Sequence, residues 1–165
     1  MRRKRGVRVS WLIAFSALVL GASMVGGAGA GNVNNDSIQG GFGDRFGENV
    51  GVQATSGPSG ENPQGHESAT TPGPDPVQFR LRVTCLAVQG SLAAYGTVVV
   101  KSNDPDNPPG TEFVEVVRDG GLPGGGGDGW DLFDAPASTC ADFLEEAADA
   151  VPITHGNITI RDAQP

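Results

Sequence analysis

Aromatic, basic, histidine and cysteine residues are all scarce in this chain, and each scarcity closes off a class of function. Aromatics are 6 % of the 165 residues, so a core must rest on Val, Leu and Ile with a few Phe. With two His and two Cys, a zinc centre, which takes three or four nitrogen or sulfur ligands, would need nearly all of them. His66 and His155 therefore read as solvated residues. A Gly-x-Ser-x-Gly nucleophile turn is missing. Residues 1–30 hold five of the eleven Lys and Arg and no acid, which leaves six basic against nineteen acidic residues, a net −13. So acidic a chain repels nucleic acid and anionic lipid and suits cations or a basic partner. The one long apolar run, residues 11–25, falls short of the roughly 20 residues of a spanning helix.

That run is instead the middle of a leader. Arg2, Arg3, Lys4, Arg5 and Arg8 precede it, and Ala28-Gly29-Ala30 follows with the small-x-small pattern of a cleavage site. Residues 1–30 are thus predicted to be a signal peptide cut after Ala30, the alternative being an uncleaved anchor. A secreted, extracellular protein with no membrane association after cleavage is the expectation. Arg2-Arg3 lacks a twin-arginine context, and no Cys follows the cleavage site to carry lipid.

Residues 31–76 read as a Gly/Pro/Ser-rich segment. A weak hairpin is drawn from residues 38–43 and 48–53, with a turn at 44–47. Residues 55–76 lack periodicity and read as a long, mobile loop or linker. Residues 77–165 then form the β-domain. Its centre is VQFRLRVTCLAVQGSLAAYGTVVVK, residues 77–101. Val77, Phe79, Leu81, Val83 and Cys85 alternate with polar residues and should share one apolar face. Gln89-Gly90-Ser91 supplies a hairpin turn. Further strands are expected at 111–118, with Phe113, Glu115 and Val117 on one face, at 130–134 and at 157–161. Ser138 or Thr139 should cap a short helix ending near Ala150, with Asp142 in its first turn. Strands without βαβ spacing predict a mostly β fold, an antiparallel β-sandwich or small barrel with one short helix near the C-terminus.

The two cysteines of an exported chain predict a Cys85–Cys140 disulfide. Closing a loop of about 56 residues stabilises by roughly 4 kcal/mol in the chain-entropy model.

The run from Phe79 through Cys85-Leu86-Ala87-Val88-Gln89-Gly90, then Asp119-Gly120-Gly121-Leu122-Pro123-Gly124, then Cys140, then Gly156-Asn157-Ile158-Thr159-Ile160-Arg161-Asp162 resembles a family of small secreted bacterial β-rich proteins without assigned activity. The resemblance covers about half the chain. Where those proteins have Asp-Asn-Gly, this one has Asp119-Gly120-Gly121. It implies secretion and the Cys85–Cys140 pairing, and it lends no catalytic residue. A bacterial source would leave the sequon Asn157-Ile158-Thr159 unused.

Among candidate chemistries, calcium has the most residues behind it. Asp104, Asp106 and Asn107 crowd one loop, and Asp119, Asp128, Asp131 and Asp134 flank the glycine loop. Ca²⁺ takes six to eight oxygens, so Asp104, Asp106, Asp128 and Asp131 form the candidate set. Against it, Pro109 stands where an EF-hand loop needs Gly, and solvated turns give the same pattern. Gly124 to Gly127 lacks the Lys and helix of a phosphate loop. Glu145-Glu146 reads as a solvated helix face. Three functions follow: a non-catalytic β-module without a cofactor that binds a cell surface, a matrix component or another protein; a calcium-stabilised domain; or a hydrolase using Asp or Glu. A concave pocket with two carboxylates, one of raised pKa, would favour the last.

Overall fold

The inward residues of the central strands wrap around one another rather than facing a second sheet. The computed structural model describes residues 34–121 and 127–163, so the leader lies outside the described residues. Within these residues nine strands form one curled antiparallel sheet, a half-barrel: β1 (Asp36–Gly43), β2 (Asn49–Ser56), β3 (Gln64–Thr70), β4 (Gln78–Gln89), β5 (Leu92–Ser102), β6 (Glu112–Arg118), β7 (Gly129–Phe133), β8 (Val151–Pro152) and β9 (His155–Arg161). Their order across the sheet is β8-β7-β6-β5-β4-β3-β2-β1-β9. The mostly β, barrel-like expectation holds, in one curled sheet instead of two stacked ones.

The hairpin β1–β2 forms at the anticipated place. Asp44 Oδ1 accepts the Phe46 and Glu48 amides, each at 2.8 Å, and Gly47 takes φ +86°. The expected linker does not survive: residues 64–70 are β3, paired with β2 and β4. Period-two patterning failed there because the strand's buried inward residue is a carboxylic acid, Glu67. Its Gly65 is required by sterics, since a Cβ would stand 2.5 Å from the Gln53 carbonyl oxygen. Residues 34–76 therefore belong to the same sheet as the expected β-domain.

In β4 the predicted apolar face breaks at a bulge. Val83 pairs Thr97 and Cys85 pairs Gly96, which leaves Thr84 unmatched. The extra residue reverses the alternation. Leu86 turns inward, and Cys85 turns outward to bond Cys140 across a Cα–Cα distance of 6.1 Å. A second register shift skips Val100 of β5, which is left exposed.

Outside the sheet, Ala137–Asp149 packs over β4, β5 and β6 as a 3-10 helix. Ala137, Cys140 and Phe143 recur every three residues, the period of that helix, and Cys140 joins Ala94, Val114 and Val116 in one core cluster. The helix lies directly over Gly96, where a Cβ would collide with the Ala137 carbonyl. The expected side-chain cap is not made: Pro136 holds that position, and the Thr139 hydroxyl donates to its carbonyl at 2.8 Å. At the other end Arg118 donates to the carbonyls of Gly127, Ala148 and Ala150, setting a cation at the helix C-terminus. β6 is consequently buried on both faces, Val114 and Val116 under the helix and Glu115 and Val117 inside the half-barrel.

Where strand pairing ends, carboxylates take over. The unpaired amides of β9 point toward the β6–β7 connection. Asp128 Oδ2 accepts the Ile158 amide at 2.8 Å and Asp119 Oδ2 accepts the Ile160 amide at 3.0 Å. The second oxygen of each holds its own loop, Asp128 on Gly120 and Asp119 on Gly121. Two aspartates thus stand in for a missing ladder and satisfy an edge that would otherwise be exposed.

Candidate ligand-binding site

Antiparallel hairpins send the β1–β2, β3–β4 and β5–β6 turns to one end of the half-barrel, and a cavity of about 330 Å³ opens there. That volume is at the lower end of small-molecule sites. Phe79, Leu81, Phe113, Trp130 and Leu132 supply its apolar wall. Glu48, Glu67, Asp104 and Asp134 are its acidic lining residues, and among the described residues no Lys, Arg or His lines it.

Behind the cavity lies a buried polar cluster. Glu115, fully enclosed, accepts three hydrogen bonds: Tyr95 Oη–H at 2.8 Å and Trp130 Nε1–H at 3.0 Å on Oε2, and Thr97 Oγ1–H at 3.1 Å on Oε1. Three neutral donors converging on one carboxylate favour its anionic form. Glu67 of β3 is 3 % exposed and meets Glu115 carboxyl to carboxyl. Its Oε2 has no hydrogen-bond partner among the described residues. Burial, and then the neighbouring Glu115 charge, push the Glu67 carboxyl well above the usual carboxylate range. Burial also raises Glu115, but its hydrogen bonds pull the other way. Burial and the neighbouring charge thus favour the protonated form of Glu67, beside a Glu115 whose three donors favour its carboxylate. Burial and these two carboxyls push the Tyr95 hydroxyl well above its ordinary range, so it remains a donor.

The candidate calcium residues are not brought together. Asp104 closes its own loop, its Oδ1 accepting the Asp106 amide at 3.0 Å and its Oδ2 the Asn107 side-chain amide at 2.8 Å. Asp128 is the buried latch of β9. Asp131 accepts the amide of the adjacent Leu132. Among the described residues, no three His, Cys, Asp or Glu are placed to share a metal ion. Of the four, Asp104 alone lines the cavity. His66 and His155 are exposed on β3 and β9, and Glu145 and Glu146 are exposed on the helix.

Sequence reasoning missed the central pair. Glu115 carried a usable signal, a carboxyl on the face shared with Phe113 and Val117. Glu67 carried none, since its neighbours Gln64, His66, Ser68 and Thr70 are all polar.

Comparison of the chain with protein-family models, curated proteins and solved structures finds no match in any of the three.

Proposed function

We propose that this protein is a secreted, non-catalytic binding module whose half-barrel interior takes a small ligand. The observation that carries this reading is the Glu67 carboxyl, buried at the cavity with no partner for Oε2 among the described residues. A buried polar atom left unpaired costs about 1–3 kcal/mol, and a ligand with a hydrogen-bond donor recovers that energy. Secretion rests on the basic and apolar leader and accords with the Cys85–Cys140 bond. Among the described residues, no helix is long and apolar enough to cross a membrane.

A hydrolase is the second reading, favoured by two touching carboxyls whose surroundings push their protonation apart. Binding is preferred because Glu115 is fully enclosed, with both oxygens occupied by Tyr95, Trp130 and Thr97. A base so enclosed and already accepting three hydrogen bonds is poorly placed to take a proton from a substrate.

Trp130 gives a direct test. It is the one tryptophan outside residues 1–30, and it lines the cavity. A set of small cationic, neutral and anionic aromatic compounds should include members that change its emission saturably, and Phe113→Ala should weaken them. If no compound of that size perturbs Trp130, the cavity is not a ligand site. Turnover of a glycoside or ester, abolished by Glu67→Gln, would move the assignment to the hydrolase.

A further inference from the structure

Taking the cavity as a ligand site, its lining also indicates what kind of ligand it holds. Four acidic residues, Glu48, Glu67, Asp104 and Asp134, meet no cationic side chain in that lining among the described residues. The indole N–H of Trp130 is already spent on Glu115. The site therefore offers acceptors and negative charge, over walls formed by Phe79, Phe113 and Trp130. An acidic cluster alone would be unremarkable in so acidic a chain. What distinguishes this one is Glu67, 3 % exposed, with Oε2 unpartnered.

We infer that the cavity binds a small organic cation, a protonated amine carried on an apolar body about the size of one ring. The ammonium group brings N–H donors for Glu67 Oε2 and offsets the repulsion among the carboxyls. The apolar body covers the wall, and the aromatic faces add cation–π attraction of about 0.5–2 kcal/mol. A bare divalent ion fits poorly, since no three ligating side chains converge among the described residues. An anion would meet four carboxyls and no counter-charge.

The test compares three molecules of one shape: 2-phenylethylammonium, 2-phenylethanol and 3-phenylpropanoate. Each is titrated into the exported, oxidised protein at constant ionic strength while Trp130 emission is followed. The ammonium ion should bind about ten-fold or more tightly than the alcohol, a difference of about 1.4 kcal/mol, and the carboxylate should not bind. Glu67→Gln should erase the preference for the cation. Asp134→Asn changes an exposed rim residue and should weaken the ammonium ion several-fold and the alcohol less. Equal binding of alcohol and ammonium ion would overturn the cation inference while leaving the cavity a ligand site. Tighter binding of the carboxylate would overturn it as well. Silence from all three, together with a silent wider compound set, would remove the cavity reading beneath it.

Discussion

Replacing Glu67 by Gln should stabilise the protein at neutral pH, by an amount that grows with pH. In the unfolded chain Glu67 ionises near its ordinary value of 4.5; in the folded protein burial and Glu115 keep it protonated well above that. Over the interval between these two values the folded state holds one proton more than the unfolded state. Stability must then fall as pH rises, by about 1.4 kcal/mol per pH unit for one proton. The loss is absent below the unfolded value and complete once pH passes the folded one. Gln does not titrate, yet its amide still offers an N–H toward Glu115 in place of the acid proton. The variant should lack this slope. Other raised carboxyls, among them Asp36 and Glu48, are common to both proteins, and their slopes largely cancel in the difference. Urea unfolding between about pH 4 and pH 7, with the dependence on denaturant unchanged, gives the two curves. They should coincide at the acid end and diverge by up to about 1.4 kcal/mol per unit. Parallel curves, or a variant that loses ground as pH rises, would refute the raised titration of Glu67.

Other perturbations test other parts of the account. Asp128→Ala orphans the Gly120 and Ile158 amides; it should lower stability by about 2–4 kcal/mol and speed amide exchange in β9, and unchanged exchange there would count against the latch. Glu115→Ala leaves three buried donors without their acceptor and should cost at least about 3 kcal/mol by chemical denaturation, whereas a near-wild-type midpoint would mean the cluster is dispensable. Cys85→Ser should cost roughly 4 kcal/mol and loosen the 3-10 helix in hydrogen exchange; an unmoved melting temperature would contradict it. Millimolar CaCl₂ should shift the midpoint no more than NaCl of equal ionic strength, because the loop aspartates are engaged with backbone and Asn107; a calcium-specific gain lost in Asp104→Asn would restore a metal site.

Much of the sheet was legible because period-two alternation holds wherever a strand buries hydrocarbon on one face. The β4–β5 hairpin read correctly down to its Gly90 turn, where φ is +61°. Two features escaped for different reasons. A bulge such as that at Thr84 inserts one residue without any compositional mark, so Cys85 was placed on the wrong face. β3 was invisible because its buried inward position is Glu67, a residue whose ordinary place is in water. The aspartates around the glycine loop looked like loose metal ligands in one dimension. Only the curl of the sheet brings β9 to Asp119 and Asp128 and turns them into its latch. The candidate site escaped for the same reason that makes it a candidate: it breaks the local rule that carboxylates stay out of cores.

The most direct test of the account is a carboxyl-carbon NMR titration of Glu67, assigned by its loss in Glu67→Gln, run with and without 2-phenylethylammonium. The free protein should show one glutamate resonance titrating well above the ordinary range, and the bound cation should return it toward that range by favouring the carboxylate. A Glu67 resonance that titrates like an exposed glutamate, or one that the cation leaves unmoved, would contradict both the buried, protonated Glu67 and the site built around it.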